Sequence, residues 1–196
     1  NSNSQLGVYY HLKGDYALSL SHCLKALEIR EILQDKKGAA SVLGNIGNVY
    51  YSQGDYVKAL EYYFKALKLN EEDGNKDGIA GNLNNIGAVY KDQGDYSKAL
   101  EYYFKSLKLD EEIGNKYGVA GSLNNIGYAY LKQRKYKEAE EYLLNALSIS
   151  VEIGALDLIK SDHESLSKLY SKTDRYQLAY EHYKQYTADK DSLFNE

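Results

Sequence analysis

The chain contains no proline, no methionine and no tryptophan, and only one cysteine, Cys23, in 196 residues. Without proline no position lacks a backbone donor or blocks the turn before it, so long uninterrupted helices are permitted throughout. A lone cysteine excludes an internal disulfide and any zinc site built from several thiolates. Cys23 falls at helical core spacing, so a buried thiol is expected there. Apolar runs are short: none approaches the roughly 18 residues that span a bilayer, and the start has no secretory apolar segment. A soluble segment without direct membrane insertion is expected, cytoplasmic or extracytoplasmic. The absent initiator methionine reads as a processed or excised piece of a longer chain. A basic excess is missing too. With 24 Lys and Arg against 28 Asp and Glu the net charge is −4, and lysines such as Lys58 and Lys65 flank Glu61 at helical spacing, as on a solvated helix face. That is not a phosphate-neutralising surface, and no nucleic-acid partner is expected.

What is present is 43% hydrophobic and 27% charged residues, the balance of a folded chain, with 22 Tyr, 3 Phe and 16 Gly. These residues repeat. Residues 41–80, 81–120 and 121–160 align without insertion, the first two sharing 28 of 40 positions, and weaker copies fill 1–40 and 161–196. Five units leave no room for another domain, so a single array over 1–196 is expected. Within a unit, Leu83, Ile86, Gly87 and Tyr90 form one helical stripe and Tyr96, Ala99, Leu100, Tyr103 and Leu107 a second. Gln93-Gly94-Asp95 separates them as a turn whose Asp can cap the second helix. Gly114-Asn115 offers the positive φ wanted at a helix end. Each unit is therefore a helix–turn–helix hairpin, and such hairpins bury their apolar faces only by stacking on one another.

The residues at these stripes resemble the tetratricopeptide repeat. Its Leu-Gly-Tyr slots hold Leu6-Gly7-Tyr10, Ile46-Gly47-Tyr50, Ile86-Gly87-Tyr90 and Ile126-Gly127-Tyr130, then Leu166-Ser167-Tyr170. The second-helix Ala slot holds Ser19, Ala59, Ala99, Ala139 and Ala179, and the aromatic slot Cys23, Tyr63, Tyr103, Leu143 and Tyr183. Departures are Leu43, Leu83 and Leu123 in the Trp slot, and Glu31, Glu71, Glu111, Val151 and Asp191 in the terminal Pro slot, so the second helices can run on. The six residues per unit beyond the usual 34 imply longer helices. Repeats of this length, with an Asn-rich first helix, are similar to those of kinesin light chains, polarity adaptors and bacterial regulatory arrays. The resemblance implies an all-α, right-handed superhelical solenoid of five hairpins. The run from Tyr186 to Glu196 resembles the exit from repeat arrays in bacterial membrane-bound sensor kinases.

Chemistry is harder to find. His11, His22, His163 and His182 lie only in the first and last units, without metal-ligand spacing, and read as surface or interface histidines. Asp73-Gly74-Asn75-Lys76-Asp77-Gly78 imitates half of a calcium loop, but the twelfth loop position is Asn84 rather than Glu, so a helix-connecting turn is expected. The column Tyr16, Tyr56, Tyr96, Tyr136 and Tyr176 reads as core with hydroxyls at the rim. No converging acid, base and nucleophile suggests an enzyme, and no cofactor or metal is expected.

The first-helix face away from the core carries Asn45, Asn48 and Tyr51, then Asn84, Asn85 and Lys91, then Asn124, Asn125, Tyr128 and Leu131. An Asn side chain both donates and accepts, so repeated Asn can hold an extended backbone with little regard for its side chains. These ten residues are the candidate peptide-binding groove, the use that the resemblance implies. The competing expectation is that the Asn amides bond across the repeat interface. Gly81 and Gly121, costing about 1 kcal/mol each relative to Ala in a helix, require either close helix contact or close ligand approach. A non-catalytic protein- or peptide-binding scaffold is expected, as the sensory or regulatory part of a larger signalling protein. The alternative is self-association by end-to-end stacking of repeats.

Overall fold

A computed structural model describes residues 2–193, with side chains for residues 2–188. The helices are α1 Ser2–Leu12, α2 Tyr16–Ile32, α3 Lys36–Ser52, α4 Tyr56–Asp73, α5 Lys76–Asp92, α6 Tyr96–Ile113, α7 Lys116–Lys132, α8 Tyr136–Ile153, α9 Leu156–Lys172 and α10 Tyr176–Leu193. No strand occurs among the described residues. Phe194, Asn195 and Glu196, the end of the run likened to sensor-kinase exits, lie outside the described residues.

Local chemistry sets the helix ends. Asp15, Asp35, Asp55 and Asp95 accept from the backbone N–H three residues on, at 3.1, 2.8, 3.1 and 3.1 Å. Asn75 and Asn115 do the same at 3.3 and 3.1 Å. Each such cap contributes about 1 kcal/mol. The calcium-like segment is thus spent on helix ends, with Asp73 closing α4 and Asn75 capping α5. At the other end Gly114, with φ 70°, closes α6 in the left-handed conformation. Lys135 and Ala155 precede α8 and α9 with no side-chain cap hydrogen bond. The first helices α3, α5, α7 and α9 have 17 residues and the second helices α4, α6, α8 and α10 have 18, which is where the longer repeat goes.

The chain falls into two compact units, Asn1–Gln93 and Gly94–Glu196. In the first, α1 to α5 pack in chain order and α3 also touches α1 and α5. Its core sets Val42 and Ile46 against Cys23 and Ala26. Cys23 is buried as expected, and burial pushes its thiol up. In the second unit α6 to α10 pack in order and α7 touches α9; Leu143, Leu166 and Leu169 are fully buried with Ala139, each leucine worth roughly 1.5–3 kcal/mol.

The glycine of the Leu-Gly-Tyr slot lets the helices of a hairpin meet. A Cβ on Gly47 would stand 2.6 Å from Tyr63 Cδ1, and one on Gly127 2.6 Å from Leu143 Cγ. The tyrosine columns divide differently from expectation. Tyr63 and Tyr103 of the aromatic slot are buried, as is Tyr170 of the Leu-Gly-Tyr slot, while Tyr183 of the aromatic slot is 54% exposed. Tyr16, Tyr56, Tyr96 and Tyr136 are only half-buried, and Tyr176 is 65% exposed. As the first residue of each second helix, each sits beside the turn that joins its hairpin.

Candidate functional site

In the first unit, α3 and α5 lie side by side and form a pocket of about 300 Å³. Its lining follows from helical spacing: Ile46 and Val49 turn into the core, which leaves Ser41, Gly44, Asn45 and Asn48 on the opposite face of α3. Gly81, Asn82 and Asn85 repeat that pattern on α5. A Cβ on Gly81 would meet nothing within 4 Å, and one on Gly44 only Asn82 Oδ1 at 3.8 Å. Of the two explanations for Gly81, close helix contact is therefore excluded. The same holds for Gly121 on α7.

The pocket's asparagines divide into two kinds. Asn82 is buried and donates through Nδ2 to the Gly78 carbonyl at 2.7 Å, and Asn75 Nδ2 donates to Asn70 Oδ1 at 2.9 Å. These amides hold the wall. Asn45 and Asn85 are half-buried, line the pocket and form no hydrogen bond with another described residue. Each presents a donor and an acceptor to the opening. Asn48 is partly committed, since its Oδ1 accepts from the Tyr63 hydroxyl at 2.7 Å. Lys37 and Asp77 bring one charge of each sign.

The other predicted residues of this unit are Tyr51, Asn84 and Lys91. The Tyr51 hydroxyl donates to the Asp92 carboxylate; burial first, and that carboxylate second, push its phenol well above the ordinary value. Lys91 pairs with Asp92 at 3.4 Å. Both are half-buried, at the C-terminal ends of α3 and α5. Asn84 is half-buried beside Asn85.

In the second unit the predicted residues separate. Asn124 does not present its amide to solvent. It is 7% exposed, its Nδ2 donates to Asp162 Oδ1, and its Oδ1 accepts from Ser165 Oγ at 3.4 Å. Bonding across the repeat interface, the competing expectation, describes Asn124. Asn125 is half-buried on α7. Tyr128 and the buried Leu131 line a second pocket of about 280 Å³ with Lys132, Arg134, Tyr136, Lys168 and Lys172.

Two features went unread in the sequence. One is that basic pocket. The other is Asp162, fully buried where α7, α8 and α9 meet, accepting from Ser150 Oγ at 2.7 Å as well as from Asn124. Burial pushes its carboxyl up to about 6 against the two hydrogen bonds, which pull it down. Both were marked by departures from the 40-residue pattern: Val42, Asn82 and Ser122 stand where Asp162 does. The histidines belong to helix contacts. His163 Nδ1 and His182 Nδ1 are 2.8 Å apart, and His22 Nδ1 meets Asn3 Oδ1 at 3.1 Å. No group of three or more metal-ligating side chains occurs among the described residues. No described helix is long and apolar enough to cross a membrane.

Hairpins joined by capped turns, closed on a glycine contact and stacked in register define a helical-repeat protein, an architecture that serves as a protein-interaction scaffold. The tetratricopeptide repeat profile matches residues 1–72, 38–112 and 78–150, and the chain belongs to that family. No curated protein is matched by the sequence. Among solved structures, BtubC (BKLC) from P. vanneervenii shares 21% identity over 99% of this chain and 80% of its own, with a TM-score of 0.82. A Rap protein complexed with Competence and Sporulation Factor shares 23% identity, covering 95% of this chain and 52% of its own, at 0.84. The Rap conjugation gene regulator of plasmid pLS20, in complex with the Phr* peptide, shares 16%, covering 97% and 53%, at 0.84. At such identities the likeness is one of fold. This chain spans about half the length of the two Rap proteins.

Proposed function

We propose that the chain is a non-catalytic scaffold that holds an extended peptide segment against its first helices, as the sensory or regulatory part of a larger signalling protein. The observation that carries this reading is the pair Asn45 and Asn85, half-buried, without a hydrogen-bond partner among the described residues and facing one pocket across the uncovered Gly44 and Gly81. Amides poised in this way match the alternating donors and acceptors of an extended backbone. Missing Cβ atoms give that backbone room to approach. Asn48, Tyr51, Asn84 and Lys91 edge the same face; in the second unit Asn125, Tyr128 and Leu131 hold the corresponding first-helix positions on α7. One Rap protein is solved with Competence and Sporulation Factor and another with the Phr* peptide, which supports the reading by analogy of fold alone.

The test uses peptides selected on this chain from a random display library. Replacing Asn45 or Asn85 by Ala removes one or two hydrogen bonds worth about 0.5–1.5 kcal/mol each. Affinity should fall roughly threefold to tenfold per substitution and nearly multiplicatively for both, with the melting temperature unchanged. Lower stability with intact affinity would refute the assignment.

Self-assembly is the second reading, and one observation favours it. Leu6 and Tyr9 of α1 are 38% and 52% exposed, although their repeat equivalents Ile46 and Val49 are buried. A further hairpin, of this chain or of another copy, would cover them. Light scattering over a concentration series separates the two, since only stacking of copies raises the mass with concentration.

A further inference from the structure

The pocket in the second unit runs against the charge of the chain. Four cations line its roughly 280 Å³: Lys132 at the end of α7, Arg134 in the following turn, and Lys168 and Lys172 on α9. The chain as a whole carries −4. Lys168 is paired with Glu164 at 2.6 Å. Lys132, Arg134 and Lys172 have no carboxylate partner among the described residues. Two of the ammonium groups stand against one ring, Lys132 Nζ at 5.1 Å and Lys168 Nζ at 5.8 Å from the Tyr128 centroid. All four cations are exposed, so water screens their mutual repulsion, and the gathered positive charge presents several donors at once to an anion.

The repeat supplies an internal reference. At the turn position of Arg134 the first three units have Gly14, Gly54 and Gly94, each with φ between 75° and 81°. Arg134 adopts φ 61° there, in the region where a side chain clashes with its own carbonyl. Lys132 and Lys172 stand where the middle unit has Asp92, and Lys168 where it has Ala88. The fifth unit has Asp174 at the same turn position with φ 58°, so a left-handed side chain alone does not mark the pocket; what sets it apart is that this residue is a cation with three more gathered beside it.

Resting on the reading of the chain as a peptide scaffold, we propose that this pocket binds the phosphoryl group of a phosphorylated side chain in the bound protein segment. Three uncompensated cations exceed what one carboxylate neutralises and suit a dianion with three accepting oxygens. The guanidinium of Arg134 offers paired donors to two of those oxygens. Leu131, Tyr128 and Tyr136 supply an apolar wall for the stem of the side chain. The cations form a single pocket rather than a stripe, which disfavours a polyanion such as nucleic acid.

The experiment measures binding of an alanine-flanked phosphoserine peptide, its unphosphorylated counterpart and inorganic phosphate to the whole chain. The phosphopeptide should bind at least about tenfold more tightly than the serine peptide, the scale of a charge-assisted hydrogen bond. That advantage should shrink as salt is raised. Arg134→Gly restores the glycine of the other turns, so the melting temperature should hold or rise while phosphopeptide affinity drops about tenfold. Lys172→Gln should weaken it similarly. Equal affinity for the two peptides, no phosphopeptide binding, or an unchanged affinity in Arg134→Gly would overturn the proposal. Inorganic phosphate binding as tightly as the phosphopeptide would overturn the assignment to a peptide side chain. Failure here with library peptides still dependent on Asn45 and Asn85 refutes the phosphoryl site alone; loss of both refutes the scaffold.

Discussion

Asp162 offers a stability measurement whose size follows from the structure. Its carboxyl is fully buried among α7, α8 and α9 and titrates at about 6 rather than 3.8. The native state therefore keeps a proton on Asp162 between about pH 4 and pH 6 that the unfolded chain has released. Where the native state binds more protons, stability falls as pH rises. Stability from this group is fully present below about pH 4 and lost as pH passes through about 6. The gap between 3.8 and about 6, at 1.36 kcal/mol per tenfold change in acidity, corresponds to about 3 kcal/mol.

The matching perturbation is Asp162→Asn. The amide has the shape of the protonated acid; its oxygen can accept the Asn124 donor, and the Ser150 hydroxyl can turn to accept from the new NH₂. The variant loses the titration and keeps the network. Urea unfolding of both proteins from pH 4 to pH 8 isolates the residue, because every other group cancels in the difference. The two should be about equally stable near pH 4, and the variant should gain up to about 3 kcal/mol by pH 7. A difference that stays flat over that range would refute the argument, and so would an Asp162 carboxyl resonance titrating near 4.

The remaining predictions concern single positions. Gly81→Ala should stabilise by about 0.5–1 kcal/mol, since the new methyl meets nothing and the helix gains propensity, yet it should weaken peptide binding by narrowing the pocket; thermal melts and peptide titration check both halves. Gly47→Ala should destabilise, because its methyl would stand 2.6 Å from the buried Tyr63 ring and overpacking of about 1–3 kcal/mol outweighs the propensity gain. Lys135→Asp should add the missing cap of α8 and remove a cation from the positive end of the helix, raising stability by about 1 kcal/mol in the same melts.

The hairpin could be read from the sequence because its determinants are local and recur. The turn Gln93-Gly94-Asp95, the capping Asp95 and the closing Gly114 act within a few residues, and the structure uses each as its chemistry suggests. The groove was legible only by position. Asn45, Asn85 and Asn124 lie on helices of identical pattern, and whether an Asn faces a pocket or a partner depends on residues about 40 positions away. Asn124 is buried because Asp162 and Ser165 come to meet it from α9. Asn84, its repeat equivalent, has Ser122 and Asn125 at the positions that correspond to Asp162 and Ser165, and it stays half-buried. The same comparison makes the departures informative. The first three units keep Gly at the turn while their first-helix ends vary from Leu12 and Ser52 to Asp92, so the glycine is what stacking favours and Arg134 answers to something else. If Arg134→Gly proved both more stable and unaltered in binding, that inference from broken periodicity would fail, and the basic pocket would be drift in the last two hairpins.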